Sequence, residues 1–356
     1  MTSAIRIGII DDGVGSRDAA ASGDRGAVYK QLELDMQLAV DKVTGEGRLD
    51  RPVEFVHEEG IGLPSGTAFA VEQATAALVA QGVLLIVGPG TGDNAIVATP
   101  LADRFQMPMI NWSASERARS EWMFHLQVGS HEDESILMAR YLAAHGLRRV
   151  GVLYDRSPIG RRHVDFLAEE CELLDVNVST RMAIAPLATD VTAEVAALLD
   201  QGVDGLVYMG LGWAGREVAR ARTALGWDVP RIMNAAGMRG ADPEYARDID
   251  GWAYPDMYSD DNELLRSLRQ SLGDDRRRVG GLAFGYDMGQ LVAEGIARAP
   301  ELTRSGIKDG LEHIKLLRAA EGHEGTSLGF GKWERGALKG RYLVLRQWRD
   351  TVSIEL

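Results

Sequence analysis

A chain of 356 residues is too long for one average hydrophobic core, so two domains are expected. Its 45% hydrophobic and 26% charged content is that of a globular protein, and a formal net charge of −13 argues against nucleic acid or an anionic membrane surface as a partner. No stretch approaches the roughly 18 apolar residues needed to span a bilayer, so no direct membrane insertion is expected.

The first strand, IRIGII at 5–10, begins without the basic region and apolar run of a secretion signal. A cytoplasmic location follows if Met1 is the native start, and a periplasmic or cell-surface one if a leader was removed. A helical pattern over about 25–43 leads to a strand at 53–57, a helix at 66–81, the apolar strand VLLIV at 83–87 and a helix at 94–105. Strand 107–111 ends in the small polar tip NWSAS, and a helix at 131–145 follows. Next come strand 150–154, helix 158–174, strand 176–182, helix 190–201, strand 205–209, helix 214–225 and strand 231–234. Helices at 261–271, 281–297 and 304–319 precede a closing strand at 342–348.

Strands alternating with helices mean βαβ units around a parallel sheet, and continuous apolar strands are those covered on both faces. Two such series span roughly 1–127 and 128–250. Ser157 before Pro158, and Ser130 before an acidic turn, read as helix N-caps. The acidic cluster SHEDE (Ser130–Glu134) is read as a first turn favoured by the helix dipole, in preference to a metal site. Cys171, the single cysteine, lies in the apolar-periodic stretch DFLAEECELLDV and is read as a packing residue; no intramolecular disulfide can form.

Open α/β sheets bind ligands beyond the carboxyl ends of their strands. What the strands present there is Asp11-Asp12-Gly13, then His57-Glu58-Glu59-Gly60, then GPGTGDN (Gly88–Asn94), then Asn111-Trp112-Ser113-Ala114-Ser115. Gly88, Gly90 and Gly92 let backbone N–H groups turn toward a ligand, and Thr91 adds a hydroxyl at a helix start. The stretch is neither a Walker loop nor a dinucleotide fingerprint, because the Gly-Lys-Ser/Thr and the third spaced glycine are missing. Asp11 and Asp12 fit a polar loop at the mouth of a cleft better than a carboxylate metal site. No Gly-x-Ser-x-Gly elbow and no His-Glu-x-x-His motif occurs.

The order of these elements resembles the type I periplasmic binding proteins, in their leucine/isoleucine/valine-binding branch. The resemblance is carried by VLLIVGPGTGDNAIVATPLADRFQMPMINWSASE, FHLQVGSHEDE, VGVLYDRSPIGRR, DGLVYMGLGWAGREVARARTALGW, GLAFGYDMGQLVAEGI and GFGKWERGALKG, and covers essentially the whole chain. It implies an α/β fold of two Rossmann-like lobes with parallel sheets, joined by three hinge crossings near Gln127, Tyr254 and Leu328. Lobe 1 would be 1–127 plus 255–328, and lobe 2 would be 128–254 plus 329–356.

The resemblance also implies a ligand site. Ser113 and Ser115 match positions that meet an amino acid's carboxylate and ammonium, and Gly92, with Thr91 and Gly90 beside it, matches a serine-bearing turn. In lobe 2, Ile159 matches a stacking aromatic, Leu211 a tyrosine for which Trp213 could substitute, and Ala236 the acid that pairs an ammonium. An ammonium without that acid would be a costly unpaired charge unless Asp11 or Asp12 served instead. With Ile159, Leu211, Trp213 and Tyr286 around it, the expected ligand is a small carboxylate or amide, aromatic or aliphatic, instead of a simple amino acid. The implied function is a non-enzymatic receptor closing over a ligand and read by an ABC-type permease, with no cofactor. One rival is a cytoplasmic ligand sensor acting on a regulatory protein. The other is an α/β enzyme using Asp11, Asp12, Glu58 and Glu59 with a metal.

Overall fold

The computed structural model describes residues 3–13, 27–272 and 279–356. The chain divides into two units. The first takes in Met1–Val128, Tyr258–Gly273 and Val279–Tyr342, and the second Gly129–Met257 and Leu343–Leu356.

In the first unit, β1 (Ile5–Asp11), β2 (Val53–Glu59), β3 (Leu85–Val87), β4 (Met109–Asn111) and β5 (Met123–His125) form a parallel sheet in the order β2-β1-β3-β4-β5. The isoleucines of β1 are all buried, as expected of a strand covered on both faces. One face packs against α1 (Ala27–Gly45) and α10 (Val279–Ala297); the other packs against α2 (Ala68–Ala80) and α3 (Gly92–Phe105). The α1–α10 contact is close because Gly289 has no side chain: a Cβ there would lie 2.3 Å from the Met36 carbonyl oxygen. The helix expected from about residue 25 is described from Ala27; Arg25 lies outside the described residues.

The second unit repeats this strand order. β6 (Arg149–Asp155), β7 (Asn177–Ile184), β8 (Gly205–Met209), β9 (Arg231–Met233) and β10 (Ala253–Asp256) are parallel in the order β7-β6-β8-β9-β10. Beyond β10, β14 (Val344–Arg349) and β15 (Val352–Glu355) add antiparallel edges. α4 (His131–Ala144) and α5 (Pro158–Glu172) cover one face with Met138, Leu142, Val164, Leu167 and the buried Cys171, whose thiol is pushed up to about 12 by burial. α6 (Thr192–Asp200), α7 (Gly215–Ala224), a 3-10 helix (Ala235–Ala241) and α8 (Pro243–Asp248) lie over the Trp252, Tyr254 and Trp348 core. Ser130 and Ser157 cap α4 and α5 by accepting from the Asp133 and Gly160 amides.

Three local features differ from the sequence reading. The last passage between units falls between Tyr342 and Leu343 instead of near Leu328. Residues 329–342 stay with the first unit because β12 (Ser327–Leu328) pairs with both β11 (Leu317–Arg318) and β13 (Leu338–Lys339). The helix expected over 304–319 ends as α11 (Arg304–Glu312), since Leu316 turns to φ +53° and β11 follows at once. The strands β5 and β10 were not anticipated. α9 (Glu263–Leu272) completes the helices of the first unit. Among the described residues, no helix is long and apolar enough to cross a membrane.

Candidate functional site

In the first unit the sheet order reverses between β1 and β3, which makes the loops after these strands its switch point, the preferred place for a ligand. Asp12 follows β1 and is only 2% exposed. Its carboxylate accepts from the Tyr29 hydroxyl (2.9 Å), the Gly90 and Thr91 amides (3.2 and 3.0 Å) and the Asn94 side-chain amide (2.8 Å). Tyr29 reciprocates by accepting from the Asp12 amide at 3.1 Å. Asp12 therefore holds the turn after β3 in shape, and its oxygens are spent within the protein. Gly90 is required because a Cβ there would lie 2.6 Å from the Trp112 indole.

The tip of β4 is wired in the same way. Asn111 donates to the Ala118 and Phe124 carbonyls and accepts from the Ser113 amide and hydroxyl. The Ser113 oxygen in turn accepts from the Ser115 amide at 3.2 Å, and the Trp112 amide donates to Pro89, tying this tip to the turn after β3. Trp112 itself packs against Tyr29 and Phe284, with ring centroids 6.4 and 5.0 Å away.

What this wiring leaves over defines the site. The Thr91 hydroxyl, the Ser115 hydroxyl and the Trp112 indole nitrogen are buried and meet no hydrogen-bond partner among the described residues. Thr91 is the N-cap of α3, yet its hydroxyl makes no cap bond, so the first turn of that helix is not closed by its own N-cap side chain. Of the two serines, Ser115 is the one with an unspent hydroxyl, whereas Ser113 braces the turn. Asp93, in the first turn of α3 beside Gly92, has its carboxyl raised by burial. Asp11 is half-buried and accepts from the Gly13 amide; burial, countered by that bond, with Asp12 and Glu59 adding to the shift, pushes its carboxyl up to about 6.

In the second unit, Asp155 at the end of β6 plays the part of Asp12. It accepts from the Tyr208 hydroxyl (2.9 Å) and the Leu211 amide (2.8 Å), and a Cβ on Gly210 would strike it. Burial raises the Asp155 carboxyl to about 6 against the pull of these bonds and of Arg239. The loop after β8 is fixed further by Asn234, which exchanges two hydrogen bonds with Gly210, and by the Tyr245 hydroxyl donating to Gly212. Arg239, on the 3-10 helix, donates through Nε to the Leu211 carbonyl and lies over the Trp213 ring at 4.8 Å. The Trp213 indole nitrogen is buried and meets no hydrogen-bond partner among the described residues. Ala236 is buried in the core, and Ile159 is half-buried as the second residue of α5.

The structure thus brings together Asp12, Gly90, Thr91, Gly92, Ser113 and Ser115 in one loop set, and Leu211, Trp213 and Ala236 in another. Tyr286 joins neither. It sits within α10 among Ala39, Leu282 and Ala283, with its hydroxyl at Lys42, so helix packing accounts for it. Glu134, one of three acids in the first turn of α4, is fully buried and accepts from the Ser130 and Ala235 amides. Sequence reasoning missed Tyr29, Asp155 and Arg239, and held Asn94 only as the last residue of GPGTGDN. Only Asp155 carried a signal, as an acid closing an apolar strand. Among the described residues, no group of three or more His, Cys, Asp or Glu side chains is placed to hold a metal ion.

Two doubly wound units with polar loops at their strand ends define a ligand-binding α/β protein. The chain belongs to the periplasmic binding protein family, whose model matches residues 5–338. Its fold is shared by solved relatives of low identity. A type 1 periplasmic binding protein from Bordetella pertussis is 18% identical, with 98% of this chain and 97% of that chain covered and a TM-score of 0.79. The leucine binding protein LivK from Thermotoga maritima is 15% identical over 99% of this chain and 97% of its own, at a TM-score of 0.80. The branched-chain amino acid transporter substrate binding protein LivJ from Streptococcus pneumoniae, solved with isoleucine, is 17% identical over 99% of both chains, also at 0.80. No curated protein sequence matches the chain.

Proposed function

We propose that this receptor captures a small ligand bearing a carboxylate or amide, releases it unchanged, and passes it to an ABC-type permease. The observation that supports this most is the pair of buried, unspent hydroxyls, Thr91 and Ser115, at the ends of adjacent strands β3 and β4. Both sit beside the first turn of α3, whose open N–H groups and dipole favour an oxyanion. Asp93 in that turn disfavours a multiply charged phosphate, which leaves a single carboxylate or a neutral amide as the better fit. LivK, a leucine binding protein, and LivJ, solved with isoleucine, share this fold and are named with ligands that carry a carboxylate, which supports the reading.

The hydroxyls can be tested separately from folding. Because neither has a protein partner among the described residues, Thr91→Val and Ser115→Ala should change stability by no more than about 0.5 kcal/mol. Each should weaken ligand binding by about tenfold, the worth of one hydrogen bond to a charged group. Calorimetric titration of the variants with the best carboxylate from a screen measures this. Undiminished affinity in the double variant would refute the assignment.

A further inference from the structure

Of the three unspent groups in the first unit's loop set, the Trp112 indole N–H differs in kind from the two hydroxyls. Thr91 and Ser115 can each donate or accept, so alone they suit an oxyanion, an amide or an amine. An indole nitrogen only donates. Its place is also fixed. The Trp112 amide donates to the Pro89 carbonyl at 3.2 Å, which pins the residue to the turn after β3. A Cβ on Gly90 would lie 2.6, 2.7 and 2.8 Å from Cζ2, Cη2 and Cε2 of the ring, and Cε2 is the carbon that carries the nitrogen. The indole thus rests on the Gly90 backbone, one residue from Thr91.

Tyr29 meets the ring edge-on at 6.4 Å and Phe284 packs on it at 5.0 Å, so it cannot swing its N–H elsewhere. Neither neighbour offers that N–H an acceptor, since the Tyr29 hydroxyl both donates to and accepts from Asp12. Trp252 also has an unpartnered indole nitrogen, but it is 0% exposed within the core of the second unit. Trp112 is only partly buried and stands at the loop tip that carries Ser115. A buried donor left unpaired there is costly, and a ligand atom with a lone pair removes that cost.

We infer that Trp112 is a specificity-determining residue, its indole N–H donating to an acceptor oxygen of the ligand. The group bound at the ends of β3 and β4 is then a carboxylate or carbonyl, and a donor-only group such as an amidinium is rejected. The inference rests on the proposed ligand site and adds the polarity that the two hydroxyls leave open.

The probe is the tightest-binding carboxylate of a panel of benzoate, 3-phenylpropanoate, 4-methylpentanoate and leucine, taken with its primary amide and its amidine. These head groups are close in shape and run from acceptor-only through mixed to donor-only. Each is titrated calorimetrically into the full chain and into Trp112→Phe, which keeps an aromatic ring and removes the N–H. The wild type should bind the carboxylate about tenfold or more tighter than the amidine. Trp112→Phe should lose about tenfold in affinity for the carboxylate and leave the amidine unchanged. In the 1H–15N spectrum of the seven tryptophans, the indole resonance missing from Trp112→Phe should move downfield when the carboxylate is added to the wild type, while that of Trp252 stays in place.

An equal loss for all three probes would assign Trp112 to packing alone, and the inference would fall while the receptor stands. Undiminished carboxylate affinity in Trp112→Phe, or an amidine that matches the carboxylate in the wild type, overturns it as well. The wild-type order of the three probes decides the matter if Trp112→Phe does not fold. If no member of the panel binds the wild type, the proposed ligand chemistry itself fails.

Discussion

Removing the Asp12 carboxylate is the most demanding perturbation of the first unit's loop set. In Asp12→Ala, the Gly90 and Thr91 amides and the Tyr29 hydroxyl lose their acceptor, while the Asn94 amide keeps its bond to the Leu63 carbonyl. Two buried N–H groups and one hydroxyl left unpaired cost about 1–3 kcal/mol each, partly offset by relaxation and by no longer burying a charge. The net loss should be about 3–5 kcal/mol, large against the 5–15 kcal/mol that typically holds a protein together. Asp12→Asn keeps one acceptor oxygen but turns an NH2 toward donors, and should cost about 1–3 kcal/mol. Urea unfolding measures the totals, and hydrogen exchange at Gly90 and Thr91 shows whether the loss is local, since those amides should become the most exposed to exchange. Asp12→Ala within about 0.5 kcal/mol of a surface control such as Asp50→Ala, with Gly90 and Thr91 still protected, would refute the view that Asp12 shapes the turn.

Three further outcomes follow from the same structure. Gly90→Ala should displace the Trp112 indole and destabilise by about 1–3 kcal/mol, with a shift in tryptophan emission as the check; a stable variant with unshifted emission contradicts the packing. Glu134→Gln should weaken the tie between the Ser130 and Ala235 amides by about 1–2 kcal/mol, read from thermal unfolding; no change in melting temperature would show that the tie is not made. His131, held down to about 3, and His163, held well below its ordinary value, are both kept neutral chiefly by burial, with Arg162 disfavouring charge on His131 and His131 on His163. The unfolded chain therefore binds protons near pH 6.5 that the folded chain refuses, so each histidine makes stability rise with pH, by up to about 1.4 kcal/mol per unit below that pH. Asp155 and Asp256, raised to about 6, act in the opposite sense, so the diagnostic quantity is a difference. His163→Gln should make the slope of stability between about pH 4.5 and 6 less positive by about 1.4 kcal/mol per unit, and an unchanged slope contradicts a buried neutral imidazole.

Much of the fold is legible because parallel strands buried on both faces announce themselves as apolar runs, and VLLIV and GLVYM do so here. The strands MFH and AYPD do not: three or four residues are too few for a pattern, and only pairing to neighbours makes them strands. The turn GPGTGDN was legible through its glycines, since backbone approach leaves a compositional trace. The division of labour within the site was not. Nothing in SAS says that Ser113 spends its hydroxyl on Asn111 while Ser115 keeps its own. Asp12 looks like a ligand group because acids at strand ends commonly are, and only its four partners identify it as a brace. Arg239 was invisible for a related reason, since its place over Trp213 depends on the 3-10 turn after β9 and on the space left by Gly212.

The claim that the ends of β3 and β4 hold the ligand's polar group is tested most directly by a crystal structure of the chain with its tightest-binding carboxylate. The account predicts carboxylate oxygens within about 2.6–3.2 Å of the Thr91 and Ser115 hydroxyls, with Ser113 still bonded to Asn111. A ligand bound elsewhere, with both hydroxyls facing water or protein, would contradict it.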